Sequence, residues 1–287
     1  MQVVWQAFEK GVLLWQGEAV RLYPWGEPRP IYTRAFKGEV AAVAATDAAV
    51  YLATATRLHR LPRRPAEPAQ TYELPTSFGR ATKMLLHEQS GTTLVALLTE
   101  RGALLRLRLP ETHWDSLPLS RSGLPQGALY GTRVVLSDAD GVALCVEVDS
   151  LKVLQRWQGG LGGVLDWAWH PQGRWVAGAC ADGLVKVWDP NTGKLLHAFA
   201  AHRLPPACVA CHPQGSRLVS YGTDGLLFQY DLSTGRALLD QPLPLPRETE
   251  RVLALRWAVP AQVWLFTGSA FVECQLPAGR WHTRVLQ

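Results

Sequence analysis

The chain has 287 residues, 47% of them apolar and 18% charged, with five cysteines and a formal net charge of +5. That composition excludes wholesale disorder, which needs few apolar residues and much charge, and five cysteines without dense spacing supply no disulfide framework. No apolar run crosses a bilayer as a helix, since the nearest, Val40 to Ala55, is broken by Asp47 and built largely of alanine.

From the N-terminus, the opening MQVVWQAFEKG lacks the charged head, apolar centre and cleavage site of a secretory signal. The expected setting is therefore the cytoplasm. After this opening the chain runs through brief apolar segments divided by Gly, Pro and Asp, the signature of short strands. TERG at 99–102 precedes ALLRLRL, and Asp140-Gly141 precedes VALCVEVD. A repeat then becomes plain. WHPQG at 169–173 returns as CHPQG at 211–215, ADGLVKVWD at 181–189 as TDGLLFQYD at 223–231, and NTGK at 191–194 as STGR at 233–236, each shifted by 42 residues. Asp140 stands the same 42 residues before Asp182. Beyond the repeat come RVLALRWA, QVWLFTG, AFVECQL and RWHTRVL, separated by short turns.

No segment carries a long helical stripe, so almost no helix is expected. Four strands per unit parse the chain into segments of approximately 1–37, 38–78, 79–119, 120–159, 160–204, 205–249 and 250–287. Dividing 287 by 7 gives 41, within the roughly 40–45 residues of a propeller blade. The expectation is one all-β domain over 1–287, a seven-bladed β-propeller of four-stranded antiparallel blades. It closes either with contiguous blades or with Met1–Phe8 completing the last one.

The two best units resemble WD repeats. The Trp-Asp pair is Trp188-Asp189, with Tyr230-Asp231 in the next unit; HPQG is similar to the turn between a blade's first and second strands, and Asp-Gly to that between its second and third. The match is clear over about 160–245 and weaker elsewhere. The resemblance implies that His202, Ser220, Asp224 and Tyr230 form a hydrogen-bonded tetrad, tyrosine replacing the usual tryptophan. The fifth unit keeps Asp182 and Trp188 but has Gly160 and Gly178 where histidine and serine would stand, which implies an incomplete network.

Ser220, His202 and Asp224 are also the residue types of a hydrolase triad, but geometry and role define a triad. The surroundings VSYGTDG are no nucleophile elbow, and a serine on a blade strand is expected to be buried. Cys208 and Cys211 invite a zinc reading, yet residues three apart on a strand point to opposite faces, and no second ligand pair is present. His170 and His212 read as turn residues, Trp167, Trp169 and Trp175 as packing between blades, and Trp25 as an exposed aromatic. Asp166 is a lone channel-proximal acid. No catalytic residue, metal site or cofactor is expected.

Arginine supplies 23 of the 29 basic residues, with one isoleucine (Ile31) and one asparagine (Asn191). Usage this narrow points to a bacterial or thermophile-like composition, so the positive charge alone names no partner. Proteins of the resembling family usually serve as interaction platforms, which makes a non-enzymatic scaffold or subunit the leading expectation. Its candidate partner-binding residues are Arg34, Lys37, Arg80, Arg121, Arg203, Arg247 and Arg251 in the loops between units, where guanidinium groups suit the carboxylates of an acidic protein segment. Nucleic-acid binding through the same basic rim is the first alternative, although aromatic stacking platforms are sparse there. A propeller enzyme such as a metal-dependent hydrolase is the second.

Overall fold

The structure, a computed structural model, describes residues 3–16, 18–64, 67–120, 122, 126–200, 202–242, 251–259, 261–276 and 280–287. It is built from seven sheets of four strands, each sheet made of chain-consecutive strands in order. The first contains β1 (Val3–Phe8), β2 (Gly11–Gln16), β3 (Ala19–Pro24) and β4 (Tyr32–Ala35). The second contains β5 (Ala42–Ala45), β6 (Ala49–Ala53), β7 (Arg57–Pro62) and β8 (Gln70–Glu73). The third contains β9 (Ala81–Gln89), β10 (Thr92–Thr99), β11 (Ala103–Leu109) and β12 (Asp115–Pro118). The fourth contains β13 (Gln126–Tyr130), β14 (Arg133–Ser137), β15 (Val142–Glu147) and β16 (Lys152–Gln158).

The fifth sheet contains β17 (Val164–Trp169), β18 (Val176–Cys180), β19 (Val185–Trp188) and β20 (Leu195–Phe199). The sixth contains β21 (Pro206–Cys211), β22 (Arg217–Gly222), β23 (Leu226–Asp231) and β24 (Arg236–Pro242). The seventh contains β25 (Ala254–Val259), β26 (Gln262–Phe266), β27 (Ala270–Gln275) and β28 (Arg280–Val285). The fold is a seven-bladed β-propeller. One short 3₁₀ turn, Thr76–Phe78, is the helical element among the described residues, and none of them forms a helix long and apolar enough to cross a membrane. Strand β1 pairs with β2 along its whole length, so Val3–Phe8 belongs to the first sheet.

Burial follows strand position. Strands β6 and β18 are buried at every residue, while the last strands β16 and β20 are largely exposed. A strand covered on both faces needs apolar side chains at successive positions, which is why the middle strands read as continuous runs such as AVYLA and VAGAC.

The described residues cluster into two compact units whose boundary runs through the fourth sheet. The first comprises Met1–Trp25, Arg29–Val134 and Val146–Lys152. Its core has one cluster around Leu13, Trp15, Val43 and Leu52 and another around Tyr51, Met84, Leu97 and Leu105. Small side chains fill β5, and Gln6 Nε2 reaches past it to donate to Met84 O at 2.5 Å.

The second unit comprises Gly26–Pro28, Val135–Cys145 and Val153–Gln287. It holds one cluster around Val187, Val209, Phe228 and Tyr230 and another around Tyr221, Trp257, Leu265 and Val272. Residues Gly26–Pro28 join it through Arg284. That guanidinium donates to Gly26 O (2.9 Å), pairs with the buried Glu273 (3.5 Å) and sits 5.3 Å from the Trp264 ring centroid. Gln287 N adds a bond to Pro28 O at 2.9 Å.

The two HPQG turns are built alike. His170 Nδ1 accepts from Gln172 N at 2.9 Å and His212 Nδ1 from Gln214 N at 3.0 Å, so each imidazole folds back over its own turn. Both rings are buried, and each meets the sheet that comes after it: His212 stands edge-on to Trp257 at 4.6 Å, and His170 lies against Gly215. A β-carbon at position 215 would fall 2.0 Å from His170 Nε2, and Gly215 has φ of +76°, a region that disfavours other residues. Gly215→Ala should therefore cost about 2 kcal/mol or more in urea unfolding. Adding His170→Ala should return the steric part of that loss and leave the backbone part.

Candidate functional site

The candidate residues gather at the end of the sixth sheet that carries the turn between β22 and β23. Asp224 occupies that turn. Its carboxylate accepts from Leu226 N (3.2 Å), from Arg203 N (3.0 Å) and from His202 Nδ1 (3.1 and 3.2 Å). Since Nδ1 donates, Nε2 is left as an acceptor and takes the Ser220 hydroxyl proton across 2.6 Å. Ser220 Oγ in turn accepts the Tyr230 hydroxyl at 2.8 Å. The chain Tyr230 to Ser220 to His202 to Asp224 thus has one direction and leaves none of these donors unpaired. Phe228 meets the imidazole edge-on at 4.7 Å. Gly222 makes the room, because a β-carbon there would lie 2.3 Å from His202 Nδ1.

In the fifth sheet the same location is filled by other chemistry. The Trp188 ring occupies the space of the serine, for a β-carbon on Gly178 would lie 2.9 Å from Trp188 Cζ3. Asp182 still accepts its turn amide, Leu184 N, at 3.2 Å. Its second oxygen is taken by Lys186 Nζ at 2.5 Å, which also donates to Gly159 O at 3.3 Å. Lys186 stands 42 residues before Phe228, so a cation has replaced the histidine from a different strand. Cys180, at the position of Gly222, is buried, and burial pushes its thiol up to about 12.

Asp140 does not do this work in the fourth sheet. The turn amide of Val142 is bonded by Asp138 Oδ1 at 2.8 Å, and Asp140 is exposed two residues later. Threonine replaces the carboxylate in three other sheets: Thr54 accepts from Arg57 N (3.0 Å), Thr99 from Ala103 N (3.0 Å) and Thr267 from Ala270 N (3.2 Å).

Cys208 and Cys211 lie on opposite faces of β21, the first in the core shared with the seventh sheet and the second against the core shared with the fifth. Asp166 Oδ2 accepts Val209 N at 3.0 Å and so ties β17 to β21. Trp167 is buried with its ring 5.4 Å from Trp188, and Trp175 packs edge-on to His170 at 5.0 Å. Trp25 is half-buried and donates to Phe8 O at 3.0 Å, so the expectation of an exposed aromatic fails there.

The basic candidates divide between the units. In the first, Arg34 lies on β4 and reaches Pro62 O at 3.5 Å, Lys37 is exposed, and Arg80 pairs with Glu39 at 2.6 Å. In the second, Arg203 and Arg251 are exposed on the segments leading into β21 and β25, and among the described residues neither forms an ion pair. Arg121 and Arg247 lie outside the described residues. The structure adds exposed residues near the starts of β17 and β21 that the basic pattern did not point to: Leu161 is 78% exposed, Leu204 50% and Leu165 39%.

The family model for the WD domain, G-beta repeat, matches residues 151–189 and 193–231. Each match begins just before a sheet's last strand and ends at the close of the third strand of the next, which is the 42-residue period read in another frame. Those two segments of this seven-bladed β-propeller are WD repeats.

Solved propellers share its fold. A chain in a crystal structure of the mitotic checkpoint complex aligns at 14% identity with a TM-score of 0.70, covering 86% of this chain and 79% of its own. The computationally designed Ika8 protein aligns at 16% with a TM-score of 0.73, covering 98% and 82%. KlHsv2 with loop 6CD replaced by a Gly-Ser linker aligns at 10% with a TM-score of 0.77, covering 99% and 97%. At these identities the likeness is one of fold. No curated protein sequence matches the chain.

Within this propeller the Ser220, His202 and Asp224 chain has the hydrogen-bond order of a hydrolase triad and none of the access. Ser220 is fully buried on a middle strand, its hydroxyl committed at 2.6 and 2.8 Å, so no acyl group reaches it. Removing the carboxylate in Asp224→Ala leaves two backbone amides and an imidazole N–H without a partner, at an expected cost of about 1–3 kcal/mol in chemical unfolding.

Burial holds the His202 imidazole below its ordinary value of 6.5, against the opposing pull of Asp224. The unfolded chain takes up that proton more readily than the folded one, so this stability is full above the unfolded value and lost as pH falls below it. Urea midpoints measured from about pH 8 to about pH 5 should fall on the acid side, with a shallower slope in His202→Gln.

Proposed function

We propose that the chain is a non-enzymatic cytoplasmic scaffold or subunit that docks an acidic segment of another protein on the ends of the blades carrying the inter-blade loops. Propellers of this repeat family commonly act as protein-interaction scaffolds. The supporting observation is the way charge is distributed in the second unit. Three carboxylates at this end are committed internally, Asp224 to His202 and two amides, Asp182 to Lys186, and Asp138 to Val142 N, while Asp140 is exposed. The guanidinium groups of Arg203 and Arg251 are exposed instead. Exposed cations beside internally satisfied anions give an outward positive field, which steers and orients an acidic partner.

The test is affinity capture from the source cell with wild type and with the double variant Arg203→Glu, Arg251→Glu. The wild type should retain one or more protein partners at low salt and release them as salt rises, and the double variant should retain roughly a tenth or less as much. Equal capture by both forms would overturn the assignment. Co-purifying nucleic acid, released by nuclease with the partner signal, would point to the other anionic class.

A further inference from the structure

We infer that the starts of β17 and β21 form an anchor for a large apolar side chain within that acidic partner segment, gripped by Leu161, Leu165 and Leu204 with Arg203 alongside. The inference rests on the docking role proposed above and names what the charges alone do not, an apolar hot spot.

Leu161 sits at the centre of Gly159-Gly160-Leu161-Gly162-Gly163. The loop is tied down rather than loose: Gly163 N bonds Gly160 O (3.2 Å), Gly160 N bonds Gly141 O (3.4 Å) and Ala181 N bonds Gly163 O (3.1 Å). Gly162 and Gly163 have φ of +78° and +86°, and a β-carbon on Gly163 would press within 2.9 Å of Asp138 O. The glycines therefore let the chain turn tightly while the one side chain among them is held outward. Leu204 occupies the corresponding segment before β21, directly after Arg203, whose own amide is fixed to Asp224. Leu165 is the second residue of β17, and the bond from Val209 N to Asp166 Oδ2 holds β17 and β21 side by side. The three exposed leucines thus share one end of two adjacent strands.

Single exposed apolar residues need no explanation, whereas a contiguous patch does. The leucines of the outer strands provide the comparison. Leu154, Leu196 and Leu238 are also exposed, but they recur at the 42-residue period and belong to the repeated unit. The loop leucines do not recur in the following unit: position 203 is arginine, 42 residues after Leu161, and position 207 is alanine, 42 after Leu165, while Leu119, 42 residues before Leu161, is only half-buried. Their strong exposure is not a product of the repeat. Exposed Asp140 is a counter-charge on the neighbouring turn, and the exposed guanidinium of Arg203 directly precedes Leu204 in the chain, with exposed Arg251 as a second cation of this unit. An apolar centre with a cationic margin fits a segment that carries a Leu, Ile, Met, Phe or Trp among Asp and Glu.

The probe is a phage-displayed library of random dodecapeptides panned on the immobilised full chain, with enriched peptides then measured by fluorescence anisotropy. Leu161→Asp, Arg203→Glu and the outer-strand control Leu195→Asp are compared with wild type after thermal melts establish that each folds. Enriched peptides should combine acidic residues with a large apolar one. Leu161→Asp should weaken them about tenfold or more, Arg203→Glu should weaken them most at low salt, and Leu195→Asp should leave them unchanged. Peptides lost with Leu161→Asp that are basic, or that lack a large apolar residue, would overturn this inference and leave loop-end docking standing. Peptides indifferent to Leu161→Asp, or no enrichment, would overturn both.

Discussion

A tight turn between two strands exposes backbone amides that the ladder cannot reach, and in this propeller a side chain has to accept from them. Asp224 shows how much can hang on that one acceptor. Its carboxylate holds the turn through Leu226, the entry to the sheet through Arg203, and the imidazole that leads inward to Ser220 and Tyr230. Secondary structure, connection and core are linked through two oxygens. The alternative, amides and a histidine buried without partners, is costly in a low-dielectric interior.

The same requirement is met elsewhere with different atoms. The fifth sheet spends an ion pair where the sixth spends a histidine, and Trp188 fills with carbon what Ser220 and Tyr230 fill with a bonded pair of hydroxyls. Both satisfy the turn carboxylate and both fill the volume, so the blade geometry survives the exchange. What differs is response to solution conditions, because the sixth sheet places in this position an imidazole that burial holds below its ordinary value. With Asp224, Asp182 and Asp138 so committed, the exposed arginines and leucines are the main groups at this end left to meet another molecule.

The repeat is legible in the sequence because turns impose strict local chemistry. HPQG and Asp-Gly recur since glycine at positive φ and an acceptor beside it are hard to replace, and the 42-residue register then carries the fold. Where another residue can accept the amide, the pattern fades. Thr54, Thr99 and Thr267 act through a hydroxyl, and Asp138 acts from two residues before the expected Asp140. Lys186 is illegible as the partner of Asp182 because it arrives from a strand position held by Phe228 in the neighbouring sheet. The histidines of the HPQG turns read as local, yet their rings work on the next sheet, a contact that no single repeat displays. Arg34 and Arg80 look equivalent to Arg203 by placement between units, and geometry commits the first two to Pro62 and Glu39. Leu161 has a signal of its own in GGLGG, since four glycines around one leucine form neither strand nor core.

The packing of His170 on Gly215 also bears on how such a chain can be recombined. Repeats invite the idea of interchangeable parts, cut at the linkers and traded between positions or between proteins. Here the ring supplied by one module lies where the next module must have no side chain at all. A transplanted unit would succeed after His170 only if it brought a bare backbone to that point, and His212 sets a different condition through Trp257. Inheritance in this propeller therefore runs in neighbouring pairs, and the seam between modules, more than the module itself, is what selection would have to preserve.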